Sequence, residues 1–295
     1  MTMLFGIPLS VLLGQLLLGL INGSFYALLS LGLAIIFGLL RIINFAHGAI
    51  YMLGAFVALL SLQYLGINYW FALFLAPVVV GLLGMALERG LLRKIAGEDH
   101  LYGLLLTFGL ALIIEGLFVK WFGVSGSSYP VPESLKGGFN LGFMFLPKYR
   151  AWVIVAALFV CIATWYMIER TRLGSYLRAG TENPQLMQGF GINVPLLVTL
   201  TYGYGAALAA FTGVLAAPVY PVAPGMGANL LIVVFAVVVI GGMGSIMGAI
   251  ITGLMMGLIE GLTKVFYPEA ANTVVFLVMV LVLLVRPSGL FGKEA

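Results

Sequence analysis

Residues 7–40 read IPLSVLLGQLLLGLINGSFYALLSLGLAIIFGLL, an apolar run without one charged side chain. A helix crosses a bilayer with about 20 such residues, so the run is long enough for two short spans, interrupted near Asn22-Gly23-Ser24. The first charged residue is Arg41. The basic region that opens a cleavable signal peptide is therefore missing, and the first segment is expected to stay as a span.

The same reading extends along the chain. Gly48–Leu65, Trp70–Leu87, Leu101–Val119, Ala151–Ile168, Leu196–Ala217 and Thr273–Val285 are further candidate spans. Asn229 to about Gly261 is too long for one simple helix and is broken at Gly241-Gly242-Met243-Gly244. The expectation is an all-α polytopic membrane protein with about eight to ten crossings, some of them broken or half-helices. Composition agrees: 62% of the residues are hydrophobic, 8% are charged and mean hydropathy is +1.16. A soluble domain carries about 25% charged residues to wet its surface. The 39 glycines are a second membrane signal, because small residues let helix backbones approach in lipid.

Orientation follows from Lys and Arg in short loops. Arg89, Arg93 and Lys94 fall in one loop, and Arg170, Arg172 and Arg178 in another two spans later, so both face the cytoplasm. The stretch Trp121–Arg150 then faces outward, although Lys136, Lys148 and Arg150 obey the rule poorly. The tail from Arg286 to Lys293 is placed inside. The longest polar excursion is about thirty residues, too short for a core of its own, so residues 1–295 are expected to form a single transmembrane domain. The net charge of +4 is spread over these loops and signals topology rather than nucleic-acid binding.

Two glycine-interrupted stretches lie one in each half of the chain: Gly38 to Ala49, with Asn44, His47 and Gly48, and Ile240 to Ala249, with Gly241, Gly242 and Gly244. Transporters use paired breaks of this kind to expose backbone polar groups to a solute. Each is equally readable as a tight surface turn, but Asn44 and His47 tilt the first towards a lined path. His47 itself reads more readily as a hydrogen-bonded packing residue than as a relay. Glu115 and Glu260 sit in apolar runs near Lys120 and Lys264. Snorkelling and ion pairing at the membrane surface account for both. Cys161 is the only cysteine and reads as a small packing residue. With no second membrane histidine beside His47, no metal site is expected. The segment Arg170–Pro195 mixes charges with Leu173, Leu177, Leu186, Met187 and Phe190. It suits a short surface helix that offers an apolar face to a soluble partner, or one that merely links two spans.

Tyr26 to Gly38, running into Asn44-Phe45-Ala46-His47-Gly48, resembles the hallmark of LivH-type permeases, subunits of ABC importers for branched-chain amino acids. Gly241 to Ser245, Arg286 to Gly292, and the Gly174–Pro195 segment with Arg178-Ala179 and Gly191-Ile192-Asn193 are similar to that family too. The resemblance runs from about Leu17 to Gly292. It implies a permease subunit without an ATPase of its own, and no Gly-x-x-x-x-Gly-Lys-Ser/Thr phosphate loop occurs in the sequence. It implies as partners a paralogous permease, two cytoplasmic ATP-binding subunits that carry the only cofactor, ATP, and a periplasmic substrate-binding protein, in the inner membrane. Gly174, Arg178, Ala179, Glu182, Asn183 and Gly191 would form the coupling loop. Asn22, Tyr26, Asn44, His47, Gly48, Gly241, Gly242 and Gly244 would line or shape the path. Met187 and Gln188 replace the small alanines usual in the coupling segment. Branched-chain amino acids are the expected solute, with urea or short amides as the alternative. An ion-coupled carrier is disfavoured by the shallow position expected for Glu115 and Glu260. An intramembrane enzyme would need a nucleophile and base at depth, and a passive channel would need a continuous polar lining.

Overall fold

A computed structural model describes residues 3–4, 7–40, 43–95 and 97–292; Arg41 and Lys293 of the sequence reading lie outside them. The helices in chain order are α1 (Leu9–Leu40), α2 (His47–Leu65), α3 (Tyr69–Gly90), α4 (His100–Phe122), α5 (Lys148–Glu169), α6 (Arg172–Glu182), α7 (Pro184–Gly189), α8 (Val194–Ala216), α9 (Ala228–Gly241), α10 (Ile246–Phe266) and α11 (Val274–Val285). A two-stranded hairpin, Gly138–Asn140 against Phe145–Pro147, decorates the α4–α5 connection. Among the described residues, 7 helices are long and apolar enough to cross a membrane, and α9 and α11 are shorter apolar helices.

The first expectation to be corrected concerns residues 7–40, in which Leu9–Leu40 form one continuous helix rather than two spans. At the expected break, Ser24 Oγ donates back to the Leu20 carbonyl at 2.8 Å and stays within the helix. Gly23 is used for close approach instead: a Cβ there would stand 2.9 Å from the Leu254 carbonyl oxygen. At 1.5 Å per residue the 32 residues of α1 reach about 48 Å, well beyond a hydrocarbon core of about 30 Å.

α1 and α10 run antiparallel along a seam of glycines. A Cβ on Gly261 would lie 2.4 Å from the Gln15 carbonyl oxygen, and one on Gly257 would lie 2.3 Å from that of Gly19. Further along, a Cβ on Gly253 would lie 2.5 Å from the Ala27 backbone, and Ser30 Oγ donates to the Ala249 carbonyl at 3.2 Å. A second seam sets α8 against α2 and α3, where Gly54 meets Ala210 and Gly84 meets Ala206. In lipid, where apolar side chains gain nothing by avoiding the solvent, such backbone proximity holds helices together.

Polar ties fix the two ends of the bundle. At one end Glu88, buried at the close of α3, accepts from Thr199 of α8 at 2.6 Å and from Arg93 at 3.1 Å. Arg93 also donates to the Pro195 carbonyl at 2.8 Å. Arg178 of α6 reaches Glu169, at the end of α5, at 3.3 Å. The two arginine-rich loops thus share one end. At the opposite end Tyr149 of α5 donates to the Leu215 carbonyl of α8 at 2.9 Å, and its hydroxyl oxygen lies 3.1 Å from that of Tyr69 of α3, from which it can accept. Replacing Glu88 by glutamine keeps the shape but removes the charge that Arg93 grips. A charge-assisted bond contributes about 1.5–3 kcal/mol, and the part-exposed Arg93 puts the loss at the lower end. The expected outcome for E88Q is a thermal midpoint a few degrees lower in detergent.

Candidate functional site: a polar cavity in the glycine seam

The α1–α2 connection places a break at membrane depth. α2 begins beside the middle of α1, where His47 Nε2 lies 3.0 Å from the Leu29 carbonyl and the ring is wholly buried. The stretch Ile43–Ala46 is non-helical, and backbone at such depth must find partners within the protein. Thr107 of α4 donates to the Ile43 carbonyl at 3.2 Å and accepts from the Phe45 N–H at 3.2 Å. Asn44 Oδ1 accepts from the Ala46 N–H at 3.1 Å, and its amide donates to the Tyr202 hydroxyl at 3.1 Å. Asn44 and His47 therefore hold the break in shape. Gly48 lets α9 start against α2, since its Cβ would stand 2.7 Å from the Gly227 carbonyl oxygen.

In the half of the bundle away from the arginine-rich loops, α1, α2, α9, α10 and the start of α11 surround a cavity of about 740 Å³. Asn22, Tyr26, Tyr51, Tyr220, Asn229 and Asn272 supply neutral polar groups to its wall, and Glu260 supplies a carboxylate. Leu230, Val233, Val275 and Phe276 supply apolar surface. Asn22 and Tyr26 of α1 are neighbours at i and i+4, so both face α10 across the glycine seam. Tyr26 donates to Glu260 Oε2 at 2.6 Å, Lys264 donates to Oε1 at 2.5 Å, and Asn22 Nδ2 lies 3.5 Å from Oε1. Tyr220 donates to Asn22 Oδ1 at 3.2 Å. One flank of the cavity is open, and Asn229, Ile232 and Asn272 are exposed there.

The expected position of Glu260 is the second correction. The ion pair with Lys264 forms as the spacing predicts, but Glu260 is only 6% exposed. It sits in the cavity wall rather than snorkelling at a surface, because α1 overlies this part of α10. Glu115, by contrast, forms no ion pair with Lys120 among the described residues. It borders a smaller cavity of about 260 Å³ that includes Phe45, Gly48 and Gly225.

Gly241, Gly242 and Gly244 do not reach the large cavity. They build the α9–α10 turn, where Gly242 and Gly244 take φ of 94° and 84°, values that favour glycine. Ser245 caps α10 by accepting from the Gly248 N–H at 3.1 Å. The tail closes over this turn, with the Leu290 N–H donating to the Ile240 carbonyl at 2.8 Å.

The segment expected to be one surface helix is two, α6 and α7, because Asn183 caps a new start with Pro184 in the first turn. Gly174 fits against the end of α5, where a Cβ would collide with the Ile168 carbonyl. Ala179 is half-buried, while Arg178, Glu182 and Asn183 are exposed. Gly191 turns the chain towards α8 with φ of 79°. Leu173, Tyr176, Leu186 and Phe190 are exposed, whereas Met187 is buried beneath them. The Met187 departure from the resembled pattern is thus an inward packing change, and Gln188 alone alters the outer face.

A helical bundle with a break inside it, a polar cavity in one half and an amphipathic loop at the other end is a multi-pass membrane protein of the transporter class. The chain belongs to the family described as branched-chain amino acid transport system / permease component, whose model matches residues 15–284. It is 33% identical to the high-affinity branched-chain amino acid transport system permease protein BraD of Pseudomonas aeruginosa, over 95% of this chain and 96% of that one. It is 30% identical to the LivH permease protein of Escherichia coli K12 over the same shares. A second kind of permease from such systems, LivM of Salmonella typhimurium, is 26% identical over 90% of this chain and 67% of its own. No solved structure matches. Sequence reasoning missed Tyr51, Tyr220, Asn229 and Asn272, which carry no motif and meet only through tertiary packing.

Proposed function

We propose that this chain is a permease subunit of an ATP-driven importer in the inner membrane, and that it forms the path for branched-chain or related small amino acids. The observation that carries this reading is the cavity of about 740 Å³, which mixes amide, phenol and apolar surface and lies in the half facing away from the arginine-rich loops. Its open flank suits closure by a paralogous permease, so that the two halves enclose one chamber. The exposed apolar face of α6 and α7 suits docking of cytoplasmic ATP-binding subunits, which would hold the ATP. A periplasmic binding protein would deliver solute at the outer end. Closure of the ATP-binding subunits would push on residues 172–191 and, through Gly174 and the Arg178–Glu169 contact, move α5. The Arg93–Pro195 contact would carry the same motion into α3 and α8. Rigid-body rocking of this kind switches access to a central site.

The test is to purify the chain with its co-eluting partners, reconstitute them in vesicles, and follow labelled leucine uptake with and without ATP. ATP-dependent uptake that requires the binding protein is expected. Uptake that persists without ATP and follows a proton gradient would point to an ion-coupled carrier instead, and preferential uptake of urea or short amides would move the solute assignment.

A further inference from the structure

Glu260 is the one charged side chain that lines the large cavity among the described residues; the other polar lining groups are amides and phenols. Its side chain is 8% exposed, whereas that of its partner Lys264 is 37% exposed and does not line the cavity. Lys264 thus offsets the buried charge from behind, one helical turn further along α10. A buried carboxylate without a counter-charge would be strongly disfavoured, so the lysine explains why the charge is tolerated. It does not explain why a charge is placed in the wall of a solute-sized cavity.

The geometry around the carboxylate leaves it unsaturated. Oε2 accepts from Tyr26, Oε1 accepts from Lys264, and the Asn22 amide stands at the 3.5 Å limit. An ionised carboxylate offers about four lone-pair sites, so accepting capacity remains towards the cavity. Resting on the reading that this cavity is the path for zwitterionic amines with an apolar side chain, we infer that Glu260 is the residue that receives the ammonium group of the solute.

The chemistry of the rest of the wall supports that class. An ammonium group carries three donors, and the Asn22 amide oxygen and the Tyr26 and Tyr220 hydroxyl oxygens lie around Glu260 as further acceptors. The solute's own carboxylate would find neutral donors on Asn229 and Asn272, well suited to a group that must be released again. Val233, Val275 and Phe276 offer contact to an aliphatic side chain. A deaminated acid would bring a second negative charge towards Glu260 with no cation in the wall to receive it. A neutral urea or amide would fit the amides and phenols but would leave the carboxylate without a purpose.

The assignment is tested on the reconstituted complex, supplied with leucine-loaded binding protein, by counting leucine delivered per ATP hydrolysed. Loss of a charge-assisted contact lowers the ratio by about ten- to a hundredfold, and E260Q is expected to show that loss. K264M removes only the outward partner and is expected to keep at least about a third of the wild-type ratio, since the solute ammonium takes over its role when bound. An unchanged ratio in E260Q overturns the assignment. So does an equal fall in E260Q and K264M, which would mark the pair as a structural ion pair. Should E260Q fail to assemble, E260D decides: a ratio lowered at least about threefold supports the contact, and an unchanged one overturns it. A wild-type complex that hydrolyses ATP but delivers no leucine would instead overturn the proposed function itself.

Discussion

Valine in place of Gly257 is expected to lower the yield of assembled protein more than tenfold. A Cβ at this position would lie 2.3 Å from the Gly19 carbonyl oxygen and 2.3 Å from the Gly23 backbone. Carbon contacts prefer about 3.5–4.0 Å, so α10 would have to retreat from α1 by roughly 1 Å even for alanine, and further for valine. No flexible side chain can yield, because the atoms met are all main chain. The retreat would also part Tyr26 from Glu260, whose 2.6 Å bond bridges the same two helices. Gly109 of α4, where a Cβ would meet nothing within 4 Å, is the control. G109V is expected to assemble normally. Size-exclusion profiles of fluorescently tagged protein in mild detergent compare the two directly. A monodisperse G257V peak at wild-type yield would show that the seam does not hold the bundle together.

The second large effect is expected at the end of the bundle that carries α6 and α7. Leu186 and Phe190 are 57% and 74% exposed, and neither supports the fold beneath it. Burying a large apolar side chain in an interface contributes about 1.5–3 kcal/mol, and an aspartate in its place would add the cost of a desolvated charge. The double substitution L186D/F190D is therefore expected to release the ATP-binding subunits on purification and to cut ATP-driven uptake at least tenfold. The thermal midpoint of the isolated chain should stay within about a degree or two, since surface changes alter stability little. Retained subunits and normal uptake would mean that these side chains face lipid and that α6 and α7 only link α5 to α8. Loss of thermal stability in the isolated chain would mean that the two side chains are structural.

The membrane class was legible because lipid as solvent constrains composition directly, and a run such as residues 7–40 has no soluble interpretation. Its division into two spans failed for a local reason. Asn22-Gly23-Ser24 has the composition of a turn, but Ser24 bonds back into its own helix and Gly23 meets a neighbouring backbone. The use of Gly23 depends on α10, which lies more than two hundred residues away. Tyr26 was found through the motif that it opens, and Asn44 and His47 through the break that they shape. Glu260 was dismissed because its pairing with Lys264 can be read from spacing alone, whereas the helix lying over it cannot.

One signal was present and unused. Gly19, Asn22, Gly23 and Tyr26 recur at i, i+3, i+4 and i+7, and Gly253, Gly257, Glu260 and Gly261 recur at i, i+4, i+7 and i+8. Each set occupies one helix face, so the polar residues were bound to point the same way as the glycines. By itself the sequence determined that the chain spans a membrane many times, that the two arginine-rich loops share one end, and which segments carry the family's motifs. These follow from hydropathy, charge placement and local pattern. Only the tertiary structure decided that the two glycine faces meet. Helix pairing in lipid rests on shape fit between distant segments, and that fit is what gathers Asn22, Tyr26, Tyr220 and Glu260 around one cavity.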